Sequence, residues 1–190
     1  MINPKLITDY SRSDRELQAF WLFCICVAGK NSDQIAEVIA RTLRKVGDQT
    51  PFEYLSGLGE TGIHNLLVAN RVGQYSRITK AFVQSLSLNL RECTLEDLLA
   101  VYGVGNKTAR FFLLHTRMGQ KFAVLDTHIL AWLRSVEVQA PMNTPTDPKK
   151  YLELEKTFLA LRPMHFPLMS DAEADLFIWT KMSGRLVDTF

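Results

Sequence analysis

A lysine and an aspartate 19 residues apart (126 − 107) have the residue types and surroundings that suit covalent chemistry. Lys107 follows Gly103-Val104-Gly105 and lies in the first turn of a predicted helix. There the positive end of the helix dipole disfavours a protonated amine. Asp126 opens another predicted helix, where a carboxylate is stabilised. Because a neutral amine is a nucleophile and a fixed carboxylate stabilises nearby positive charge, this pair is the candidate catalytic site.

The segment 94–132 must position these two side chains. Thr94 and Asp97 have the spacing of a capping box and predict the start of a first helix. Gly103-Val104-Gly105 then permits a sharp turn, and Asn106 is the candidate N-cap of the helix that carries the lysine. The backbone N–H groups of such a glycine hairpin, at a helix N-terminus, form a binding site for a DNA phosphate. Binding there does not depend on the base sequence.

Two better-known glycine motifs do not fit the sequence GVGNKT. A P-loop needs four residues between its first glycine and an adjacent Gly-Lys-Ser/Thr, whereas Asn106 precedes the lysine here and the preceding segment is helical. A Rossmann fingerprint needs a third Gly or Ala inside a βαβ unit, which is also absent from this sequence. The remaining interpretation is a helix-hairpin-helix.

The segment LLAVYGVGNKTA, followed by VLDTHI, resembles the hairpin and the aspartate loop of helix-hairpin-helix DNA glycosylases. The family pattern is L-x-G-V-G-x-K-T-A and then V-D-T-H-I/V, and Tyr102 stands where proline is usual. The resemblance extends more weakly to residues 20–33, 72–81 and 175–184. Many relatives carry a four-cysteine iron–sulfur loop, but no cysteine follows Cys93 here. The sequence is therefore most similar to the short, clusterless 8-oxoguanine glycosylase/lyase group of archaea and some bacteria.

The expected fold is all-α, because no segment alternates between polar and apolar residues over the length of a strand. The resemblance implies two helical lobes with the active site in the cleft between them. Residues 14–122 would form a barrel-like lobe containing the helix-hairpin-helix at 94–117, and residues 1–13 with 123–190 the second lobe.

The resemblance also implies a mechanism. Lys107 would attack C1′ of the damaged nucleotide, displace the base and leave a Schiff base, after which β-elimination nicks the strand. Asp126 would stabilise the positive sugar-like transition state and help to move protons. The implied function is a base-excision-repair DNA glycosylase with AP lyase activity, acting on an oxidised base, with 8-oxoguanine as the first choice. The alternatives are a non-catalytic helix-hairpin-helix DNA-binding protein and a glycosylase of the same fold that acts on another lesion.

Further residues match family positions that contact DNA or the flipped base. The DNA-binding candidates are the hairpin residues and those of the turn that wedges into the duplex: Gly103, Val104, Gly105, Asn106, Thr108, Lys30 and Asn31. The base-pocket candidates are the aromatic residues Phe111, Trp179 and Phe190. Relatives read the oxidised purine with a C-terminal lysine carboxylate, whereas this chain ends in phenylalanine, which leaves the choice of lesion open.

The composition of the chain limits which cofactors and partners are expected. Hydrophobic residues make up 47% of the chain, enough for a real core, and the net charge of +2 permits a nucleic-acid partner without demonstrating one. Cys24, Cys26 and Cys93 lack metal-ligand spacing and predict buried free thiols. No cofactor is expected beyond a monovalent cation, which similar hairpins bind through carbonyls equivalent to those of Leu99, Val101 and Val104.

The expected partner is damaged double-stranded DNA, bound by a monomer in the cytoplasm at the nucleoid. The N-terminal sequence has no apolar signal-peptide region, and the longest apolar run, residues 19–28, is too short to span a membrane.

Overall fold

The computed structural model describes residues 2–4 and 6–184, and over these residues the chain is all-α, as predicted. The described residues form nine α-helices and one 3-10 helix, and no strand. The α-helices are α1 (Asp14–Val27), α2 (Ser32–Thr42), α3 (Pro51–Ala69), α4 (Tyr75–Ser85), α5 (Leu95–Leu99), α6 (Asn106–Thr116), α7 (Thr127–Ser135), α8 (Pro148–His165) and α9 (Asp171–Met182), with the 3-10 helix Leu43–Lys45 after α2. Within the described ranges, every helix is too short or too polar to traverse a lipid bilayer.

The chain divides into two compact units, Met1–Val104 with α1 to α5 and Gly105–Phe190 with α6 to α9. This boundary falls inside the glycine hairpin, whereas the predicted boundary followed residue 122 and grouped residues 1–13 with the C-terminal lobe. The difference arises because α6 packs against α9 and is bonded to α8 through Arg110. Near the N-terminus, Arg12 belongs to the first unit, because its guanidinium stacks on Phe20 of α1, 4.2 Å from the ring centroid. The predicted cleft between two lobes stays a prediction.

The first unit is built around α1, which is buried from Phe20 to Cys26. A capping box between Ser13 and Glu16 starts this helix. Its Trp21 side chain is fully buried and donates its indole N–H to Ser85 Oγ of α4 at 2.8 Å, which satisfies the ring's only polar atom. The three cysteines are free and buried, as predicted, and burial raises the pKa of Cys26 to about 12. These thiols are therefore packing residues.

Two helices carry a residue that interrupts the regular helix. Helix α3 consists of two helical segments that meet at a kink at Gly59, whose φ of 64° and ψ of 176° only glycine adopts without strain. Helix α8 runs through Pro163 to His165. Proline removes one N–H from the helix ladder, and the last turn is held by the packing of His165 on Trp132, with ring centroids 5.4 Å apart.

The second unit packs α7, α8 and α9 around one apolar core. Its fully buried members include Leu125, Leu130, Leu133, Tyr151 and Phe158. Helix α9 contacts α6, α7 and α8, so it is the element that all the others of this unit share. An extended segment joins α6 to α7 and becomes buried at residues 123–125, directly before Asp126.

Candidate active site

Lys107 is the second residue of α6 and is half-buried. The N-cap of this helix is Gly105, with φ −106° and ψ 175°, and no side chain caps it. The prediction that Asn106 is the N-cap is therefore wrong. Its Oδ1 instead accepts a hydrogen bond of 2.7 Å from Arg110 Nη1, which draws the amide away from the helix end. The first amides of α6 are thus left without a side-chain cap, next to the lysine.

Asp126 is the N-cap of α7, as predicted from its position before Thr127. Its Oδ1 accepts hydrogen bonds from the backbone N–H groups of His128 and Ile129, both at 2.9 Å. Its Oδ2 makes no hydrogen bond within the described part of the chain. One carboxylate oxygen is therefore fixed by the start of the helix, and the other is not engaged by the described residues.

Two side chains of α8 hold the segment that leads to Asp126. The Tyr151 hydroxyl donates to the carbonyl oxygen of Ala123 at 2.8 Å and accepts from the N–H of Leu125 at 3.1 Å. One turn later, Glu155 Oε1 accepts from the N–H of Ala123 at 2.9 Å. Buried backbone groups need such partners, and here the partners also set the position at which α7 begins.

The same Glu155 oxygen forms a buried ion pair with α6. It accepts from Arg110 Nε at 2.8 Å, and the two side chains are only 3% and 8% exposed. The guanidinium also lies over the Tyr151 ring, 4.8 Å from its centroid. Glu155 therefore links the helix that carries Lys107 to the segment that carries Asp126.

Sequence reasoning missed this network. The feature of the sequence that could have indicated it is an acidic residue on an apolar helix face. Tyr151, Glu155 and Phe158 have the spacing that puts them on one side of α8. A buried acidic residue of this kind predicts a cationic partner without saying which one.

A second buried pair, also missed, joins α6 to α9. Asp175 Oδ2 lies 3.2 Å from His115 Nε2, and both side chains are buried. Burial raises the pKa of Asp175, the hydrogen bond and charge of His115 lower it, the charge of Asp126 raises it, and the charge of Lys107 lowers it. No salt bridge joins Lys107 to Asp126 within the described residues.

The hairpin turn depends on a close approach of α4. Gly103 has a φ of 72°, and a Cβ there would lie 2.8 Å from Arg77 Cγ. Arg77 donates to the carbonyl oxygens of Gly103 and Ile25, each at 3.1 Å, and to Gln74 Oε1 at 2.7 Å. The sequence signal for a glycine here was therefore correct for two reasons, the backbone conformation and the space.

Other predicted DNA-contact residues occupy varied environments. The side chains of Val104 and Thr108 are buried, so contact with DNA at these positions falls to the backbone. Lys30 is half-buried and donates to the carbonyl oxygen of Val72 at 2.8 Å, and burial lowers its pKa. Asn31 is exposed and caps α2 by accepting hydrogen bonds from two backbone amides.

The predicted cation ligands and base-pocket residues are placed as follows. The carbonyl oxygen of Val101 accepts the N–H of Val104 at 3.0 Å, in the turn that Leu99 precedes.

Phe111 is half-buried, edge-to-face with His115 at 4.9 Å between ring centroids. Trp179 is half-buried, edge-to-face with His128 at 6.1 Å. Phe190 lies outside the described residues. The described residues hold no group of three or more His, Cys, Asp and Glu side chains suited to a metal ion.

Comparison with protein families identifies the chain. The family model described as 8-oxoguanine DNA glycosylase, of the helix-hairpin-helix type, matches residues 5–163. The chain belongs to the 8-oxoguanine DNA glycosylase family. This confirms the predicted family and the predicted class of function, a DNA glycosylase of base-excision repair that acts on an oxidised base. A comparison with curated proteins gave no significant match.

Solved structures of this family share the fold. The Methanocaldococcus jannaschii 8-oxoguanine glycosylase/lyase in complex with a 15mer DNA containing 8-oxoguanine has a TM-score of 0.71 and 22% identity, over 94% of this chain and 86% of that chain. The 8-oxoguanine DNA glycosylase of Thermotoga maritima has a TM-score of 0.65 and 20% identity, over 90% and 82%. Both likenesses show the predicted all-α glycosylase fold.

The ion pair predicts a large loss of stability when one partner is removed. We expect Glu155→Ala to lower the free energy of unfolding by about 3–5 kcal/mol, because it leaves Arg110 charged, buried and unpaired. Glu153→Ala, at an exposed position of the same helix, is the matched control and should change it by less than about 0.5 kcal/mol. Urea unfolding of both variants measures the difference, and equal effects would contradict the assignment.

The hairpin glycines form a second matched pair. Gly103→Ala should lower the free energy of unfolding by about 2 kcal/mol, because alanine is strained at positive φ and its Cβ meets Arg77. Gly105→Ala should lower it by at most about 1 kcal/mol, since its φ is negative and nothing lies within 4 Å of the added Cβ. Chemical denaturation compares them, and an equal or larger loss for Gly105→Ala would contradict this account of the turn.

Proposed function

We propose that this glycosylase excises 8-oxoguanine from double-stranded DNA and then cleaves the strand as an AP lyase, with Lys107 as the nucleophile and Asp126 as its acidic partner. The observation that carries the proposal is the placement of both residues within one unit. Lys107 is the second residue of α6, Asp126 is the N-cap of α7, and both lie in the unit Gly105–Phe190. The M. jannaschii relative, a glycosylase/lyase bound to DNA containing 8-oxoguanine, supports the same lesion and the same two activities.

The reaction begins with an unprotonated Lys107. The lone pair of Nζ attacks C1′ of the damaged nucleotide, the N-glycosidic bond breaks, and its electron pair leaves with the base, which takes up a proton. Nζ then loses a proton and its lone pair forms the C1′=N bond while the C1′–O4′ bond breaks. The electron pair of that bond goes to O4′, which takes up a proton, so that an iminium joins the lysine to C1′. Removal of a C2′ proton then expels the 3′ phosphate oxygen in a β-elimination, and hydrolysis of the remaining imine regenerates the amine.

Asp126 stabilises the positive charge that develops on the sugar. Its Oδ1 is fixed by the amides of His128 and Ile129, so Oδ2 faces the reacting nucleotide without further reorganisation. The hydrogen bonds of Glu155 and Tyr151 to the segment before Asp126 keep the carboxylate in place during the reaction.

DNA is held by contacts outside this pair. The backbone amides at Gly103 and Gly105 bind a phosphate, and carbonyl oxygens at Leu99, Val101 and Val104 bind a monovalent cation beside it. Lys30 and Asn31 occupy the gap that the flipped nucleotide leaves, and Phe111 and Trp179 stack on the extruded base. Extrusion costs roughly a few kcal/mol, which these contacts offset. Because the proposed substrate is chromosomal DNA, the enzyme would act at the nucleoid.

Borohydride trapping tests the nucleophile. Wild-type protein should be captured covalently on a duplex containing 8-oxoguanine, and Lys107→Gln should give no captured complex, because glutamine cannot form an imine. Lys121→Gln, an exposed lysine in the same unit, should be captured like the wild type. Asp126→Asn retains a capping side chain and should slow capture by about 100-fold or more.

The outcomes separate the alternatives. Capture that persists in Lys107→Gln would contradict the proposed nucleophile. Absence of capture on every lesion, with duplex binding intact, would favour the non-catalytic helix-hairpin-helix protein. Capture on oxidised pyrimidine or abasic duplexes but not on 8-oxoguanine would keep the mechanism and replace the lesion.

A further inference from the structure

Helix α4 holds the hairpin turn with three side chains from one of its faces. Arg77, Lys80 and Gln84 are spaced by three and four residues, which puts them on one side of the helix. Gln84 Oε1 accepts the N–H of Tyr102 at 2.6 Å, and Lys80 Nζ lies 5.1 Å from the centroid of the Tyr102 ring. Together with the hydrogen bond from Arg77 to Gly103, these contacts fix the residues at which the turn begins.

The contacts at Tyr102 require a residue other than proline. Tyr102 stands where proline is usual in the family pattern. A proline has no N–H to donate to Gln84 and no aromatic face for a cation. Tyr102 is 51% exposed and Lys80 is exposed too, so the ring and the ammonium meet at the protein surface. This chain therefore presents a lysine on an aromatic ring directly beside the glycine turn.

The ammonium of Lys80 keeps donors that no other residue uses. Arg77, by contrast, directs its N–H groups to oxygens of Gly103, Ile25 and Gln74. Within the described part of the chain, Lys80 forms no salt bridge and no hydrogen bond. A lysine ammonium has three N–H donors, and a ring contacts it from one side only. The remaining donors are therefore able to bind an anion from solution.

We propose that Lys80 binds a DNA backbone phosphate next to the one at the hairpin amides, and that Tyr102 is the positioning residue that holds the ammonium there. This inference rests on the DNA-binding role proposed above for Gly103. That glycine directly follows Tyr102, so a strand seated on the turn passes Lys80 as well. Helix α4 has two basic residues and no acidic one, which suits a polyanion. A contact to phosphate orients the duplex without reading its sequence.

The ring of Tyr102 acts on this contact by ordering the lysine in advance. A mobile lysine loses rotamer freedom when it binds a phosphate, whereas a lysine already held over a ring loses less. The ring is itself fixed, because the backbone N–H of Tyr102 is bonded to Gln84. Tyr102 should therefore strengthen DNA binding only through Lys80.

Lys80→Gln tests the phosphate contact. The measurement is the dissociation constant for a duplex that carries a tetrahydrofuran abasic analogue, which has no base to release and cannot form an imine. It is repeated at salt concentrations from about 50 to 300 mM. At about 0.1 M salt we expect the affinity to fall about fivefold or more. The slope of log affinity against log salt should become shallower by about 0.9, the value for one phosphate contact. Lys80→Arg keeps the charge and should keep the slope.

Lys45→Gln is the matched control. It removes the same charge from an exposed position in the same unit, at the end of the 3-10 helix, and should leave the slope unchanged. An unchanged slope in Lys80→Gln would overturn the proposal even if the affinity fell, because no counterion release would have been lost. An equal change of slope in Lys45→Gln would also overturn it, since the effect would then belong to the net charge.

Tyr102→Leu tests the positioning role. It removes the ring and keeps the backbone N–H that bonds to Gln84. We expect the affinity to fall about threefold, whereas Tyr102→Phe keeps the ring and should bind like the wild type. In a Lys80→Gln background, Tyr102→Leu should have no further effect. Fully additive losses would show that the ring acts independently of Lys80 and would overturn its role as a positioning residue.

Borohydride trapping keeps this inference separate from the proposed function. At saturating enzyme on an 8-oxoguanine duplex, Lys80→Gln should be trapped at the wild-type rate, because Lys80 binds DNA and takes no part in the reaction. A slower rate at saturation would contradict the proposal. If Lys107→Gln is still trapped, the proposed nucleophile is wrong whatever Lys80 does. If Lys107→Gln is not trapped and Lys80→Gln binds like the wild type, only the present inference is wrong.

Discussion

The buried ion pair between Arg110 and Glu155 is the interaction on which the geometry of the site depends. Two charges this far from water are stable only when nearly all of their hydrogen-bonding capacity is used. Here Asn106 and the N–H of Ala123 complete the set, and the Tyr151 ring lies against the guanidinium. Because those partners are the first residue of α6 and the segment before Asp126, satisfying the pair also fixes the start of both helices.

The two helix starts then differ in the way that the chemistry requires. Helix α6 begins at Gly105 without a side-chain cap, next to Lys107, so its amides remain available to an anion. Helix α7 begins at Asp126, whose own carboxylate is the cap. The same backbone feature, a helix N-terminus, therefore lies beside the proposed nucleophile in one place and beside a fixed carboxylate in the other.

The sequence predicted the local features well and the long-range ones poorly. The capping box of Thr94 with Asp97, the cap at Asp126, the glycine turn at Gly103 and the buried thiols all depend on neighbouring residues, and the structure confirms them. The pairing of Arg110 with Glu155 joins residues far apart in the chain, and nothing local identifies the partner. Asn106 was a sound N-cap by residue type, but its amide is held by Arg110, which depends on that same unpredicted pair. The catalytic roles of Lys107 and Asp126 came from resemblance and remain proposals.

The most direct test of the account is to locate the covalent bond to DNA. After borohydride reduction on an 8-oxoguanine duplex, nuclease and trypsin digestion should leave the sugar remnant on the peptide spanning residues 92–110, uncleaved at Lys107, as read by tandem mass spectrometry. The account predicts that Lys107 alone carries the remnant. A remnant on Lys30, on another lysine or on the N-terminal amine would contradict it.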